Sequence, residues 1–435
     1  MSSNTGRVFT RSNSLYERAL NSIPLASQTF SKSAMMYPLG VSPLFIEKGI
    51  GANVWDVDGN VYIDYVLALM PVILGYQDSD VDEAIKSQLK RGIIFSLPSE
   101  LEIQLAEKLV DIIPSAEMVR FGKSGSDVTS AAIRLARAYT GRDHIAISGY
   151  HGWHDWYIGT TTRSLGVPKA VQELSTTFKF NDLNSLEDIL KKNPDGFAAI
   201  ILEPSGAEEP EAGFLEGVRE LSTKYGVVLI FDEIVTGFRA NLGGAQKKYG
   251  VTPDLSTFGK AMANGMPISA IVGRRDIMKV MDDIFFSGTF GGETLSLAAA
   301  LATIEKLEAI DAPSVFRKMG KRISTNMSSL LMELELDKVI NMAGVDWWPR
   351  LIVNEHERAS QLEVTSLLRQ EFLAHGLLLT GGFNLSLAHN DEIIFQTTMN
   401  AIRMSLQKLK EYLSSAKPVI NLRGKLIQPV FQVRE

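Results

Sequence analysis

Residues 227–233, Val-Val-Leu-Ile-Phe-Asp-Glu, decide the fold of this chain. The apolar run from Val227 to Phe231 predicts a strand that is buried on both faces, as the strands of parallel sheets are. A second run of this kind occupies residues 198–202, and a shorter, weaker one occupies residues 145–147. Because helix-length sequence separates these runs, we expect an α/β fold with a mostly parallel central sheet and helices on both of its sides.

The sequence around these strands predicts helices and a small antiparallel sheet. Apolar residues recur at helical spacing in four segments, namely residues 101–113, 126–140, 295–309 and 391–412. We expect Ser126 to be the N-cap of the second of these helices, and Gly141 lies just past its end. Upstream, residues 44–64 predict short antiparallel strands, with a hairpin turn at residues 58–60.

The length of the chain, 435 residues, allows two or three domains at roughly 150 residues each. We expect residues 1–65 to contribute to a smaller domain and residues 66–300 to form the large domain. Residues 301–435 would complete the smaller domain as its C-terminal part. The second boundary is placed where strand–helix alternation gives way, after Thr294, to a different pattern that predicts an α+β region.

Composition excludes several classes of protein and of chemistry. With 44 basic and 50 acidic residues the net charge is −6, so we expect no nucleic-acid partner and no membrane partner. Cysteine is absent from the sequence, which excludes disulfides, cysteine metal sites and thiol nucleophiles. The N-terminus lacks the apolar run of a signal peptide, and the apolar runs are far shorter than the roughly 20 residues of a membrane span. We therefore expect a cytoplasmic protein.

Two charged residues lie where ligands bind in α/β proteins, beyond the carboxyl ends of strands. Asp232 directly follows the strand at residues 227–231. Taken alone, it could equally be a helix cap or one half of a salt bridge. Lys260 lies among small and apolar residues, and burial there would lower the pKa of its amine and make a nucleophile available. Taken alone, it could also be a surface lysine on a glycine-rich loop.

Two further features suggest a ligand that carries a phosphate and a planar ring. Ser124, Gly125 and Ser126 open the second predicted helix, where backbone N–H groups and two hydroxyls can hold a phosphate. A simple N-cap has the same pattern. Tyr150 follows the strand at residues 145–147, where its ring can stack on a planar ligand or pack as an ordinary tyrosine.

Together these residues predict a site for pyridoxal 5′-phosphate (PLP). This cofactor is an aromatic aldehyde with a phosphate, and its usual protein partners are a lysine that forms a Schiff base and an aspartate at the ring nitrogen. Lys260 and Asp232 supply those two groups. No metal is expected, because His151 and His154 lack a further cluster of ligands around them.

The chain resembles the class III aminotransferases, which have PLP fold type I. The resemblance extends over nearly the whole chain and is most specific in four segments, residues 123–141, 231–237, 257–267 and 287–297. It implies a PLP-dependent enzyme that moves an amino group from a small-molecule donor to an aldehyde or ketone acceptor. It also implies a large α/β domain with a smaller α+β domain.

The resemblance implies a role for each cofactor residue. Lys260 would form the Schiff base, Asp232 would pair with the ring nitrogen and Tyr150 would stack on the ring. Gly125 and Ser126, next to Ser124, would hold the phosphate.

A further residue, Thr289, resembles the threonine that reaches the phosphate of the neighbouring subunit. The resemblance therefore implies a homodimer with the active site at its interface. Glu203 resembles a glutamate that lies near the cofactor, where a structural role is as consistent with the sequence as a catalytic one.

Within the class, the chain is most similar to the glutamate-1-semialdehyde 2,1-aminomutases, through residues 134–142, 214–217 and 385–389. Aminomutases bind the substrate carboxylate with an arginine in their N-terminal segment. The corresponding residues 31–36 contain one cation, Lys32, and no arginine. Losing charge-assisted hydrogen bonds of this kind costs roughly 1.5–3 kcal/mol of binding.

Two further positions depart from the aminomutases. The tryptophan expected after Tyr65 and Val66 is replaced by the apolar residues 67–70, and Glu208 stands where the aminomutases have a small or amide residue. We therefore expect another aldehyde or ketone as substrate, such as a sugar or other hydroxylated metabolite. Lys32, Glu203 and Glu208 are its candidate contacts.

Other functions stay open on the sequence. An intramolecular aminomutase is the main alternative, and a racemase or epimerase would need the same carbanion. A non-catalytic PLP-fold scaffold protein is the alternative from another class, but the presence of Lys260, Asp232 and the phosphate residues argues against it.

Overall fold

The structure is a computed structural model, and it describes residues 6–429 of the chain. The described residues fold into two compact units. Residues 6–78 and 314–429 form the first unit, and residues 79–313 form the second. The divisions follow Asp78 and Pro313. None of the helices within residues 6–429 is both long and apolar enough to span a bilayer.

The strands of the described residues are numbered along the chain. They are β1 (Ile46–Ile50), β2 (Asn53–Asp56), β3 (Val61–Asp64), β4 (Met118–Gly122), β5 (His144–Ser148), β6 (Ser175–Thr177), β7 (Phe197–Leu202), β8 (Val228–Asp232), β9 (Leu255–Phe258), β10 (Ser269–Gly273), β11 (Ile340–Val345), β12 (Trp348–Val353) and β13 (Leu377–Leu378).

The α-helices are numbered in the same way. They are α1 (Thr10–Leu20), α2 (Ser79–Leu89), α3 (Glu100–Ile112), α4 (Gly125–Thr140), α5 (Asp155–Ile158), α6 (Lys169–Glu173), α7 (Leu183–Lys192), α8 (Phe214–Tyr225), α9 (Gly244–Tyr249), α10 (Arg275–Met278), α11 (Thr294–Ala309), α12 (Ala312–Glu333), α13 (Gln361–Ala374) and α14 (Glu392–Leu413). Short 3₁₀ turns include residues Ala34–Met36, Lys260–Ala263 and Pro418–Asn421.

A seven-stranded sheet organises the second unit, in the order β4-β10-β9-β8-β7-β5-β6. Strand β10 is antiparallel to β4 and to β9, and all other neighbouring pairs are parallel. Six strands therefore run in one direction and β10 runs in the other. This confirms the expected fold, a mostly parallel α/β sheet.

The apolar runs in the sequence arise because both faces of this sheet are covered. Every residue of β7 and β8 is buried. Val228 and Ile230 face a core that includes the apolar face of α4. Leu229 and Phe231 face a second core, to which α7 and α8 contribute leucine, phenylalanine and valine side chains. A strand with a core on each face needs apolar residues at every position rather than at alternate ones.

The first unit contains a smaller sheet and a separate hairpin. The sheet has the order β1-β2-β3-β13, in which β13 is parallel to β3 and the other pairs are antiparallel. The hairpin consists of β11 and β12. One buried cluster joins Tyr62, Val66 and Leu378 to Tyr37, which comes from the N-terminal segment.

The N-terminus of α4 differs from the expectation that Ser126 is its N-cap. Ser124 is the N-cap, because its hydroxyl accepts a hydrogen bond from the backbone N–H of Asp127. The Asp127 carboxylate in turn accepts from the N–H of Ser124 at 2.7 Å, which completes a capping box. Ser126 lies inside the helix and is buried. Gly141 ends the helix in the left-handed conformation, with φ of 67°.

We expect Gly141→Ala to destabilise the second unit by about 1 kcal/mol, because an L-residue is strained at this positive φ. The space around an added Cβ is open, so strain is the sole new cost. Gly141→Asn is the matched control and should cost less, since asparagine tolerates this conformation. The midpoint of thermal unfolding measures the difference, and equal midpoints for the two variants would contradict the expectation.

Candidate functional site

The predicted site residues of the second unit follow strands that point the same way. Asp232 ends β8, Glu203 follows β7, Tyr150 follows β5 and Lys260 follows β9. Because these four strands are parallel neighbours, their carboxyl ends lie at one edge of the sheet. Strand β4 runs in the same direction, since two antiparallel pairings separate it from β9. The N-terminus of α4, which follows β4, therefore starts at that edge as well.

Lys260 is held in an unusual backbone conformation at this edge. It begins the 3₁₀ turn at residues 260–263, and its φ of 40° lies in the left-handed region. Residues other than glycine are strained in such a conformation, and strained residues of this kind cluster at functional sites. Burial lowers the pKa of the Lys260 amine, while the nearby carboxylates of Glu203 and Asp232 act in the opposite direction. The net effect is an amine that loses its proton more readily than an exposed lysine does.

Asp232 is buried and bonded on both carboxylate oxygens. Oδ1 accepts hydrogen bonds from the backbone N–H of Ile234 at 3.1 Å and from the hydroxyl of Thr257 at 3.2 Å. Oδ2 lies 2.8 Å from Nδ1 of His151, whose side chain is fully buried. The aspartate is therefore fixed in orientation by three neighbours.

The surroundings of His151 require a proton between it and Asp232. Nε2 of His151 lies 3.0 Å from the carbonyl oxygen of Ser148, which can only accept, so Nε2 carries a proton. Nδ1 faces the carboxylate, and a bond between them needs one more proton, placed on Nδ1 or on Oδ2. The pair thus holds a shared proton deep in the site. The sequence considered His151 only as a metal ligand, although its place beside Tyr150 at a strand end puts it at the same sheet edge as Asp232.

Glu203, directly after β7, is hydrogen-bonded to the loop that follows β5 and carries Tyr150. The backbone N–H of Tyr150 donates to Oε2 of Glu203 at 2.8 Å. Burial raises the pKa of the Glu203 carboxyl, and the charge of Asp232 raises it further. Tyr150 is 47% exposed, and its ring meets Tyr157 edge to face, with 5.4 Å between ring centroids.

The predicted phosphate residues lie against the loop that carries His151. The backbone N–H of Trp153 donates to the hydroxyl of Ser126 at 3.3 Å. A Cβ on Gly152 would lie 2.2 Å from that hydroxyl, and Gly152 has a φ of 106°. Glycine is therefore required for the loop to approach the start of α4 so closely. The structure brings Ser124, Gly125 and Ser126 to the same sheet edge as the other residues.

Of the three other predicted residues, two are on exposed loops of the second unit and one is in the first unit. Thr289 is on an exposed loop that borders a cleft of about 380 Å³ beside α4. Glu208 is exposed on the loop after β7. Lys32 belongs to the first unit, where its charge acts on Asp64. Among residues 6–429, no group of three or more His, Asp and Glu side chains is arranged to hold a metal ion.

The chemistry of these donors fits PLP. A lysine amine with a lowered pKa can react with an aldehyde, and a buried, oriented carboxylate can pair with a protonated ring nitrogen. The first turn of α4 offers backbone N–H groups and hydroxyls to a phosphate, at the end of a helix 16 residues long.

Comparisons with known proteins agree with this assignment. The family model of the class III aminotransferases matches residues 36–387. The chain is 40% identical to the 3-aminobutyryl-CoA aminotransferase of Cloacimonas acidaminovorans (strain Evry), over 93% of this chain and 98% of the relative. It is 37% identical to glutamate-1-semialdehyde 2,1-aminomutase 2 of Brevibacillus brevis, over 86% of this chain and 92% of the relative.

Solved structures give the same result. The FumI protein of Sphingopyxis sp. MTA144, in a form that carries PLP, superposes with a TM-score of 0.87 at 27% identity. The superposition covers 95% of this chain and all of the FumI chain. The chain described here is therefore a PLP-dependent enzyme of the class III aminotransferase family.

Proposed function

We propose that Lys260 is the lysine that binds the aldehyde of PLP and that Asp232 is the partner of its ring nitrogen. The observation that carries this assignment is the place of Lys260 after β9, at the sheet edge where Asp232 ends β8 and Glu203 follows β7, with both carboxylates acting on its amine. When bound, PLP supplies an aldehyde that accepts the amino group and a ring that takes up the electrons of a carbanion.

The protein groups would then position and move protons. The amine of Lys260 would take a proton from the substrate carbon that bears the amino group and return it to the aldehyde carbon of the cofactor. Asp232 would keep the ring nitrogen protonated, and His151 would keep Asp232 oriented. Glu203, with its raised pKa, fixes the backbone at Tyr150.

The remaining cofactor contacts would be positional. Tyr150 stacks on one face of the ring. Ser124, Gly125 and Ser126 hold the phosphate at the N-terminus of α4, where the helix dipole favours negative charge.

We propose that the amino donor or acceptor carries no free carboxylate where the aminomutases bind theirs with an arginine. In the first unit, the segment 31–36, which corresponds to the arginine-bearing segment of aminomutases, packs Met36 against an apolar cluster that contains Tyr37. Leu69 packs against the same cluster, so two of the three departures from the aminomutases, residues 31–36 and 67–70, contact one apolar cluster. The relative named 3-aminobutyryl-CoA aminotransferase supports this proposal, because the CoA thioester in that name replaces a carboxylate.

Three residues are candidate substrate contacts. Lys32 is the cation of its segment, and its charge acts on Asp64. Glu208, exposed on its loop, would bind an amine or a hydroxyl, as a sugar or other hydroxylated metabolite would present. Glu203 would meet the substrate from beside Lys260.

An intramolecular aminomutase is the second candidate. Relatives with that name reach 42% identity, over 68% of this chain. They favour it through overall similarity, whereas the absence of arginine from residues 31–36 disfavours it.

We also propose a homodimer, with a second copy of the chain as the partner. The second unit exposes a group of large apolar side chains, and such surfaces mark protein contacts. The group consists of Ile93, Ile94, Phe95, Leu97 and Ile103. Thr289, exposed on its own loop, would reach the phosphate site of the partner.

Two expectations from the sequence stay predictions. One is the cytoplasmic location of the protein. The other is the placement of the domain boundaries after residues 65 and 300.

We expect the purified enzyme to transfer amino groups between two separate substrates and to leave glutamate-1-semialdehyde unchanged when it is the sole addition. Substrates with and without a free carboxylate, 3-aminobutyrate and 3-aminobutyryl-CoA, form a matched pair. The thioester should have a kcat/KM at least about tenfold higher, because the carboxylate finds no charge-assisted partner. Product analysis by mass spectrometry measures both arms. Formation of 5-aminolevulinate without a second substrate would establish the aminomutase instead.

The lowered pKa of Lys260 predicts how the apoenzyme takes up PLP with changing pH. A pKa below that of an ordinary lysine means that the reactive neutral amine appears at lower pH. The rate of Schiff-base formation, followed by absorbance, should therefore rise with pH and reach its midpoint below the ordinary lysine range. Glu203→Gln removes a charge that raises this pKa and should move the midpoint lower still.

Glu208→Gln is the control for that experiment, since Glu208 is exposed and the charges that act on the Lys260 amine are those of Glu203, Asp232 and Arg239. Its midpoint should equal that of the unaltered enzyme. A midpoint that rises in Glu203→Gln would contradict the assignment of Glu203 as a neighbour of the lysine.

Subunit mixing tests Lys260 and Thr289 together. Lys260→Ala should reduce transamination at least about a thousandfold and leave PLP bound only noncovalently. Thr289→Ala should weaken PLP binding. In a heterodimer of the two variants, one site carries both defects and the other carries neither, so about half of the sites should be active.

The single-variant homodimers are the controls for the mixing experiment. If Thr289 served the site of its own subunit, each site of the heterodimer would carry one defect. The heterodimer is purified by different tags on its two subunits. If its activity is no higher than that of the Thr289→Ala homodimer, the proposal is contradicted.

A further inference from the structure

The C-terminal residues 418–428, called the strap below, run across the N-terminal segment 34–39 of the same unit. The strap begins with the 3₁₀ turn Pro418–Asn421, after the end of α14. The backbone N–H of Lys425 donates to the carbonyl of Leu39 at 3.0 Å, and that of Gln428 donates to the carbonyl of Met35 at 2.9 Å. The two segments are thus bonded backbone to backbone.

The approach between the strap and segment 34–39 is so close that it requires a glycine. A Cβ on Gly424 would lie 2.8 Å from the carbonyl carbon and oxygen of Pro38 and 2.9 Å from the carbonyl oxygen of Leu39. These are backbone atoms, which cannot turn aside as the end of a flexible side chain can. Any larger residue at 424 would push the strap away from segment 34–39.

The strap is anchored on α13 by a charge pair and by hydrogen bonds. The guanidinium of Arg423 lies 2.8 Å from Oε1 of Glu371, a carboxylate that is 1% exposed. The backbone N–H of Arg423 donates to Oε1 of Gln370 at 2.6 Å. Further along, the N–H of Ile427 donates to the hydroxyl of Ser366 at 3.2 Å, and the Ile427 side chain is buried.

The helix α13 also holds segment 34–39 directly. Arg369 donates from Nη1 to the carbonyl of Met36 at 2.7 Å and from Nη2 to the carbonyl of Thr380 at 2.6 Å. Segment 34–39 itself contains a single 3₁₀ turn, Ala34–Met36, and none of its residues lies in a strand or an α-helix. A segment with so few bonds of its own takes its position from its neighbours.

We propose that the strap is a positioning element that fixes segment 34–39, and with it Met36 and Tyr37, in the substrate-binding part of the enzyme. This rests on the proposed function, in which residues 31–36, ending at Met36 beside Tyr37, replace the arginine-bearing segment of the aminomutases. Arg423 and Gly424 are positioning residues that act through segment 34–39. They determine how well the substrate is held, while the cofactor site in the second unit has its own residues.

Hydrogen exchange on the PLP-loaded enzyme tests whether the strap holds the segment. In Gly424→Val, backbone amides of residues 33–40 should exchange at least about tenfold faster, because the strap is displaced. Arg423→Gln, a milder change that loses the charge pair with Glu371, should have the same effect to a smaller extent. Lys425→Ala is the matched control, since Lys425 contributes its backbone N–H to the contact and its side chain is exposed.

Two exchange results would overturn the proposal. One is exchange at residues 33–40 in Gly424→Val and Arg423→Gln that equals the exchange in Lys425→Ala. The other is faster exchange spread evenly over the first unit, including β11 and β12, because that would be general destabilisation. Faster exchange confined to residues 33–40 supports the proposal.

Steady-state kinetics with 3-aminobutyryl-CoA as the probe tests the link to the substrate. We expect Gly424→Val to raise KM by about fivefold or more while kcat and the absorbance of bound PLP stay near those of Lys425→Ala. An unchanged KM together with faster exchange at residues 33–40 would separate the holding of the segment by the strap from the role of the segment in substrate binding. The strap would then hold the segment, but the assignment of the segment to substrate binding would fail.

Discussion

The half-buried Lys260 has its amine in the field of two carboxylates, Glu203 and Asp232, and the proposed site depends on this balance of charge. Burial alone disfavours every charged group, so it lowers the pKa of the lysine and raises that of Glu203. Each group lessens the shift of the other because their charges are opposite. His151 adds a shared proton with Asp232, which keeps that carboxylate fixed in a water-poor environment. The reactive amine is thus a consequence of the sheet edge on which these residues meet.

The direction of the strands creates that edge. Parallel strands end together, so residues as far apart in sequence as Tyr150 and Lys260 come to one place without any long loop. The antiparallel β10 preserves the arrangement, because it restores the common direction in β4 and sets the start of α4 beside the other residues. In the first unit, by contrast, position depends on contacts between segments with little regular structure. The strap and α13 together supply the hydrogen bonds that segment 34–39 cannot make for itself.

Much of the fold and of the site could be predicted from local patterns. The runs before Glu203 and Asp232 are apolar at every position because each strand has a core on both faces, and that requirement is visible in a single sequence. The N-cap of α4 was predicted wrongly as Ser126. Asp127 completes a capping box with Ser124, and in this stretch of serine and glycine the spacing of apolar residues does not determine which hydroxyl is used. His151 was missed as a partner of Asp232, because a pair 81 residues apart leaves no periodic signal.

The sequence by itself determined the class of fold, the cofactor and the identities of the lysine and aspartate that are proposed to bind it. These follow from short-range features of the sequence. A buried strand shows as consecutive apolar residues, and the functional residue follows directly after the end of the strand. Tertiary structure alone decided that His151 pairs with Asp232, which carboxylates act on the Lys260 amine and which segment residues 418–428 contact. Such properties depend on burial and on distances between residues up to several hundred positions apart, as between Met35 and Gln428. They arise only when the chain has folded.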